Sequence, residues 1–375
     1  MFAPIRSIYA LRPNAPIAVL LASAGVTAMF TATPFLIPEL VDRFDVTTGR
    51  AGWISVVQVG VFAVATMVAG RRLPVAGSSL RWSVAAMVTV DVVSAIAPSF
   101  AVLLALRALA GAAAGAVTAL VWADAMREPR RMGDLAVAGP ATALVGALVF
   151  GLIGGAFGYG GIFVALAVVA LPGVFLEAEL AGLHGERRRR SRSRSNRLLL
   201  LGLFTLTAAG SSLFVFEAAI GRESGLSAGI IALGFSANAA GGLVGARRGM
   251  QVGHPGLWLA STGIGALLTV VPGGSALYLA GMTWWGFAFW MGLPGVMHML
   301  SARSLEPGER AGDAQGWMAF GRAAGPLFGG FLVDGAAYTV LAVVASAGLG
   351  TAGGIVSGVQ WGRGALPASD GRVAG

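Results

Sequence analysis

The chain has 375 residues, 56% hydrophobic and only 11% charged, against about 45–50% apolar and 25% charged in ordinary soluble domains. A soluble domain of this size could not cover its surface with so few charges, whereas twelve spans of about 20 apolar residues each would use most of the sequence, so the composition describes a polytopic membrane protein. All 26 basic residues are Arg, the net charge is +9, and there is no Lys or Cys; this excludes a P-loop ATP-driven pump, a Schiff-base cofactor enzyme and thiolate metal sites, and no cofactor or metal is expected.

Apolar runs separated by Gly, Pro and Arg clusters predict twelve spans, near 16–38, 50–70, 81–98, 99–122, 134–156, 158–177, 198–220, 225–246, 255–272, 275–299, 313–333 and 336–361. The turns around Pro98, Gly158 and Pro272–Ser275 are the shortest. The first run is too long for the apolar core of a signal peptide and is read as a retained span.

Arg placement sets the orientation, because cytoplasmic loops hold the positive excess. With the N-terminus inside, 21 of the 26 Arg are cytoplasmic. Three lie on the opposite side (Arg43, Arg50, Arg222) and two inside spans (Arg107, Arg322). Both termini are then cytoplasmic in a cell-membrane protein. The sequence divides into an N-terminal six-span bundle (1–177), a basic linker (178–197) and a C-terminal six-span bundle (198–375). The linker's ERRRRSRSRSN suits anionic lipid headgroups along residues 187–197. It has no interleaved aromatic rings, so nucleic acid is not expected as a partner.

The segment Gly146–Gly155, GALVFGLIGG, aligns with GRAAGPLFGG at Gly321–Gly330, an offset of 175 residues. Gly70, Arg71 and Arg72 likewise match Gly245, Arg247 and Arg248. A parallel duplication of six spans is the simplest explanation.

With these features the sequence resembles the major facilitator superfamily over essentially its whole length. In LLALRALAGAAAGAV of the fourth span, Arg107, Gly111 and Gly115 match the family's R-x-x-x-G-x-x-x-G signature. The G-x-x-x-G-P-x-x-G-G signature of the drug-efflux antiporter branch is degraded in the fifth span, where Phe150 and Gly151 occupy the Gly-Pro positions. It stands intact in the eleventh, as Gly321, Gly325, Pro326, Gly329 and Gly330. The loop GRRLPVAGSSLR keeps Gly70, Gly77 and Arg81 but has Pro74 where the family has an acidic residue. The resemblance implies an all-α fold of 12 transmembrane helices in two six-helix bundles, and a monomer that moves a small molecule with protons or another coupling ion.

Ionisable groups inside a span cost about 2.5–3.5 kcal/mol on insertion scales and are functional candidates by default. They are Asp91, Arg107, Glu217 and, nearer the span ends, Asp124, His298 and Arg322. Asp91 and Arg107 both fall near the midplane by residue count. They can be read as a proton or substrate switch or as a constitutive ion pair that lets both helices insert. The resemblance places spans one, four, seven and ten around a central cavity, which favours Glu217 as a proton carrier; its closeness to Gly221 and Arg222 offers the alternative of a solvated group at the outer mouth. Ser23, Thr27 and Thr31 recur every four residues on one helical face and form a candidate cavity stripe. In TWWGFAFWMGLPGV, Trp284 and Phe287 are the candidate aromatic substrate wall. The Gly-x-x-x-Gly runs, including Gly111/Gly115 and Gly350/Gly354/Gly358, read as helix-packing faces.

The sequence thus predicts a secondary transporter working by alternating access, with proton-coupled efflux of a small, partly hydrophobic compound. The alternatives are proton-coupled uptake of a small metabolite and a transport-inactive sensor on the same scaffold. An integral-membrane enzyme is disfavoured, because His184, His254 and His298 are scattered and match no catalytic spacing.

Overall fold

In a lipid interior every backbone N–H and C=O must be satisfied within the chain, so long apolar segments become helices. The computed structural model describes residues 13–125, 129–180, 194–249, 253–271, 273–302 and 307–361, and among these no strand is present. The first four spans are Ile17–Phe44, Trp53–Arg72, Gly77–Ala95 and Phe100–Ala125, with the four-residue helix Thr48–Ala51 between the first two. The fifth and sixth are joined in one run, Pro129–Ala170, extended by Pro172–Phe175. The run breaks at Gly158, whose φ of 64° and ψ of −163° lie outside helical space and suit only glycine. The seventh span is Arg194–Phe214 followed by the short helix Glu217–Glu223, and the remainder are Ala228–Gly249, Pro255–Val270, Gly274–Ser301, Pro307–Asp334 and Tyr338–Trp361. All twelve expected spans are found, and chain reversals occur at the three shortest predicted turns.

Local chemistry explains several of the ends. Asp45 closes the first span with a left-handed φ of 51°, a conformation that a short polar side chain tolerates. The Oγ of Ser99 accepts from the Val102 N–H at 3.3 Å and starts the fourth span. Pro255 opens the ninth from its first position, where its missing N–H costs nothing.

Among the described residues, seven helices are long and apolar enough to cross a membrane by length and composition alone. Large apolar side chains such as Phe328, Phe331, Ile96 and Phe157 stand exposed, which fits a lipid-facing surface and not a watery one. Within the first half the second and fourth spans pack closely, as do the eighth and tenth within the second half. A Cβ on Gly111 would overlap the Gln58 backbone, and one on Gly286 would overlap Asn238. These two glycines are 175 residues apart, so the sequence repeat is a repeat of helix packing. The halves meet where the fifth span packs on the eighth and the second on the eleventh.

The glycine runs are not alike. Gly321, Gly325 and Gly329 lie against the seventh-span backbone at Phe204, Ala208 and Ser212. Pro326 is held within the same helix, and Gly330 lies against Gly49. Gly115 lies against Phe62 and Thr66 of the second span. Gly350, Gly354 and Gly358 have no atom within 4 Å of an added Cβ, so that run is not a packing face among the described residues.

Candidate functional site

Arg107, Asp91, Ser94 and Gln58 form one enclosed polar cluster in the first half. The Arg107 guanidinium donates to Asp91 Oδ1 at 2.9 Å, to Ser94 Oγ at 2.5 Å and to Gln58 Oε1 at 3.5 Å. Its carbon lies 4.5 Å from the centre of the Phe163 ring. Arg107, Asp91 and Ser94 are at most 1% exposed. The predicted pairing is present, but Asp91 is only four residues from the end of its helix at Ala95, so the pair sits in the outer third of the span and not at the midplane. Residues of the second, third, fourth and sixth spans enclose it, all within one half.

The second half holds a different cluster at a matching place. Thr269, 175 residues after Ser94, donates its hydroxyl to Glu217 Oε1 at 2.7 Å. Glu217 is 0% exposed and is therefore not solvated at a mouth. Among the described residues, its Oε2 and the nearby buried Tyr278 hydroxyl have no hydrogen-bond partner. Among the described residues no cation lies within ion-pair distance of this carboxyl. The seventh span breaks at Val215–Phe216, directly before it.

Along the seam between the halves runs a chain of rings that sequence reasoning did not single out. Phe35 of the first span meets Phe235 of the eighth at 5.0 Å, Phe235 meets Phe214 of the seventh at 5.0 Å, and Phe214 meets Trp285 of the tenth at 5.5 Å. Ser23, Thr27 and Thr31 are all partly exposed. Thr31 Oγ1 donates back to the Thr27 carbonyl at 2.9 Å. A Cβ on Gly139 of the fifth span would lie 3.8 Å from Thr27 Oγ1. Trp284 and Phe287 are placed elsewhere on the tenth span, in a three-ring group with Trp258 of the ninth, at 6.1 and 5.7 Å from it. The Trp284 indole N–H donates to the Ser261 carbonyl at 3.0 Å. The tenth-span ring that reaches the seventh span is their neighbour Trp285; the signal for it in the sequence was only its place in an aromatic-rich run.

Among the described residues, polar contacts between the halves gather at the end away from the loop carrying Arg71 and Arg72. Arg222, after the seventh span, bonds Glu39 and reaches Asp42 Oδ2 at 3.3 Å. Asp334, at the end of the eleventh, accepts from Thr47 Oγ1 at 2.8 Å and from the Gly49 N–H at 2.6 Å. A further hydrogen bond between the halves, Ser236 Oγ to the Leu144 carbonyl at 2.8 Å, lies deeper. At the opposite end Arg81 pairs with Glu177 at 3.2 Å and Arg131 with Asp124 at 2.7 Å. The loop that carries Pro74 thus keeps Arg81 engaged with the end of the sixth span. Residues 187–193 of the Arg run and both chain termini lie outside the described residues; Arg194 and Arg197 begin the seventh span.

The sequence profile of the Major Facilitator Superfamily matches residues 18–330. No curated protein matches the chain. Among solved structures, a bacterial homologue of the human lysosomal transporter Spinster, in an inward-facing and occupied conformation, is similar with a TM-score of 0.67 and 14% identity, over 92% of this chain and 94% of its own. The human organic anion transporter MFSD10 gives 0.65 and 17%, over 90% and 98%. The nucleoside transporter NupG gives 0.67 and 10%, over 91% and 98%. At such identities the likeness is one of fold. The profile match covers most of the sequence, and the chain belongs to the Major Facilitator Superfamily.

Proposed function

We propose that the chain is a proton-coupled secondary transporter that works by alternating access and exports a small, partly hydrophobic compound across the cell membrane, with both termini cytoplasmic. The observation that carries this reading is Glu217: a fully buried carboxyl with one oxygen on Thr269 and the other without a partner among the described residues. An ionised carboxylate left without a cation in such a place is costly, so a proton is the species that neutralises it, and conformational change that opens the site to water releases that proton. The break at Val215–Phe216 places the carboxyl on a short helix next to the Arg222 contact, so loading the acid and opening the latch involve the same element.

The halves, 1–177 and 198–375, tilt about the seam, with 178–197 as their linker. The latch at Glu39, Asp42, Arg222 and Asp334 supports an inward-facing arrangement, given the orientation set by the Arg positions. The ring chain from Phe35 to Trp285 suits the apolar part of a substrate. Asp91 and Arg107, enclosed on every side within one half, serve as a constitutive pair.

The test is reconstitution into liposomes with an internal pH-sensitive dye and a compound panel. Compound-driven proton movement is expected in the native protein. Glu217→Gln is expected to abolish it while substrate counterflow persists. Undiminished proton movement in that variant removes Glu217 from the mechanism, and proton flow in the direction of the compound reverses the assignment to export.

A further inference from the structure

Arg107 shows what this protein does with a guanidinium that belongs to the scaffold: a carboxylate, a hydroxyl, an amide oxygen and an aromatic face surround it. Arg322 is treated differently. It lies in the eleventh span Pro307–Asp334, twelve residues before its end, near the middle of the helix and not toward an end as its place in the sequence had implied. Among the described residues none hydrogen-bonds or ion-pairs with it. Arginine does not lose its charge in proteins, so a part-buried guanidinium at this depth, with no carboxylate of its own among the described residues, is placed to take an anion.

The direction in which Arg322 points follows from its neighbours. Ala319 and Ala323 pack on Val59 and Ala63 of the second span, while Gly321, Gly325 and Gly329 lie against the seventh. At about 100° per residue, Arg322 falls between these two rows. It is opposite the exposed row of Phe320, Leu327, Phe328 and Phe331, so it faces the seam between the halves. Gln315, two turns earlier on the same side, is exposed, which opens this face toward the end without the latch. Phe30 of the first span packs on the same alanine cluster, and Ser23, Thr27 and Thr31 share its side of that helix. Gly325 meets the seventh span at Ser211, one turn before Phe214 and the ring chain.

We propose that Arg322 is the anion-recognition point of the substrate path, so that the substrate of the transporter read above is an amphiphilic organic anion. Its carboxylate, sulfonate or phosphate pairs with the guanidinium, which matches such groups through two parallel N–H donors. Its apolar body lies against Phe214 and the rings that follow it, and the first-span hydroxyls offer further donors. This rests on the transporter reading only for the word substrate; binding of the anion stands apart from its movement.

The test uses purified full-length protein in nanodiscs of neutral lipid, titrated with 1-naphthoate, naphthalene-2-sulfonate, the neutral 1-naphthamide and the cationic 1-naphthylmethylamine. The two acids are expected to bind at least tenfold more tightly than the amide. Arg322→Gln is expected to erase that preference and Arg322→Lys to keep part of it, since the charge remains but the paired donors do not. Equal binding of acid and amide, no binding of the acids, or an unchanged preference in Arg322→Gln overturns the proposal. If Arg322→Gln does not fold, the native preference and its reduction in Arg322→Lys decide. Displacement of naphthoate by phosphatidylglycerol would still put an anion on Arg322 and would name a lipid as its carrier. Counterflow of labelled naphthoate in liposomes reads transport separately: binding without counterflow leaves the anion site standing and removes the transporter.

Discussion

Asp91 and Arg107 leave water together, and each is tolerable only because the other is there. Removing one partner of a buried pair costs about 3–5 kcal/mol, whereas replacing both by apolar groups is often close to neutral. The protein contains its own version of the second case. The residues 175 positions after Asp91 and Arg107 are Ala266 and Met282, and both are fully buried. Asp91→Ala alone is therefore expected to destabilise by about 3–5 kcal/mol, read from unfolding in detergent, and the double change Asp91→Ala with Arg107→Met to recover most of that loss. Retained transport in the double variant fits a constitutive pair; loss of transport in a stable double variant would return the pair to the mechanism. Of this site the residue types and the partnership of Asp91 with Arg107 were legible in the sequence. Ser94, one turn after Asp91 on the same helix, was within reach of the same pattern but was not singled out; Gln58 and Phe163 were not legible, because they come from two further spans and only packing brings them to the guanidinium.

At the scale of the helix, a glycine's meaning depends on what passes over it. Gly325 and Gly354 both sit in Gly-x-x-x-Gly runs, yet the first lies under the seventh-span backbone and the second faces open space. Gly325→Leu forces two backbones apart, a strain of about 1–3 kcal/mol or more, and is expected to lower folded yield sharply in size-exclusion profiles. Gly354→Ala is expected to leave the profile unchanged or improve thermal stability by up to about 1 kcal/mol, the difference in helix propensity. If both glycines tolerate leucine equally, close packing is not what the eleventh-span motif does. Helix number was readable from apolar length, and the shortest turns from Pro98, Gly158 and the Gly273–Gly274 pair. The break that frees Glu217 had no comparable signal, because FVFEAAI contains neither glycine nor proline before Gly221.

For the molecule as a whole, the two acidic clusters at the latched end are the contacts that must open if the halves rock. Exposed ion pairs contribute about 0–1 kcal/mol each, but Asp334 also accepts from the Gly49 N–H and Thr47 hydroxyl, so its loss frees several groups together. Asp334→Asn combined with Arg222→Gln is expected to shift the equilibrium by about 1 kcal/mol or more, roughly a fivefold change in population. The chain has no native Cys, so a single cysteine replacing the buried Ala218 reports this cleanly. Its labelling by a membrane-impermeant maleimide is expected to be several-fold faster in the double variant. Equal rates would show that the observed closure does not depend on these bonds.

Composition and helical periodicity determined that this protein spans a membrane as a duplicated six-helix unit, because apolar length and backbone satisfaction leave a chain in lipid few other solutions. Arg asymmetry supplied an expected orientation, and the cost of burying charge picked out Asp91, Arg107, Glu217 and Arg322. Only the tertiary structure decided which of those charges is compensated. Among the described residues, Arg107 is surrounded by partners from its own half, Glu217 has a hydroxyl on one oxygen and none on the other, and Arg322 faces the seam with none. It likewise decided that Trp285 and not Trp284 joins the ring chain, since a rotation of about 100° between adjacent residues separates the face on the ninth span from the face on the seventh. Such facts arise from how helices far apart in sequence are rotated against one another, a property that no local pattern of residues contains.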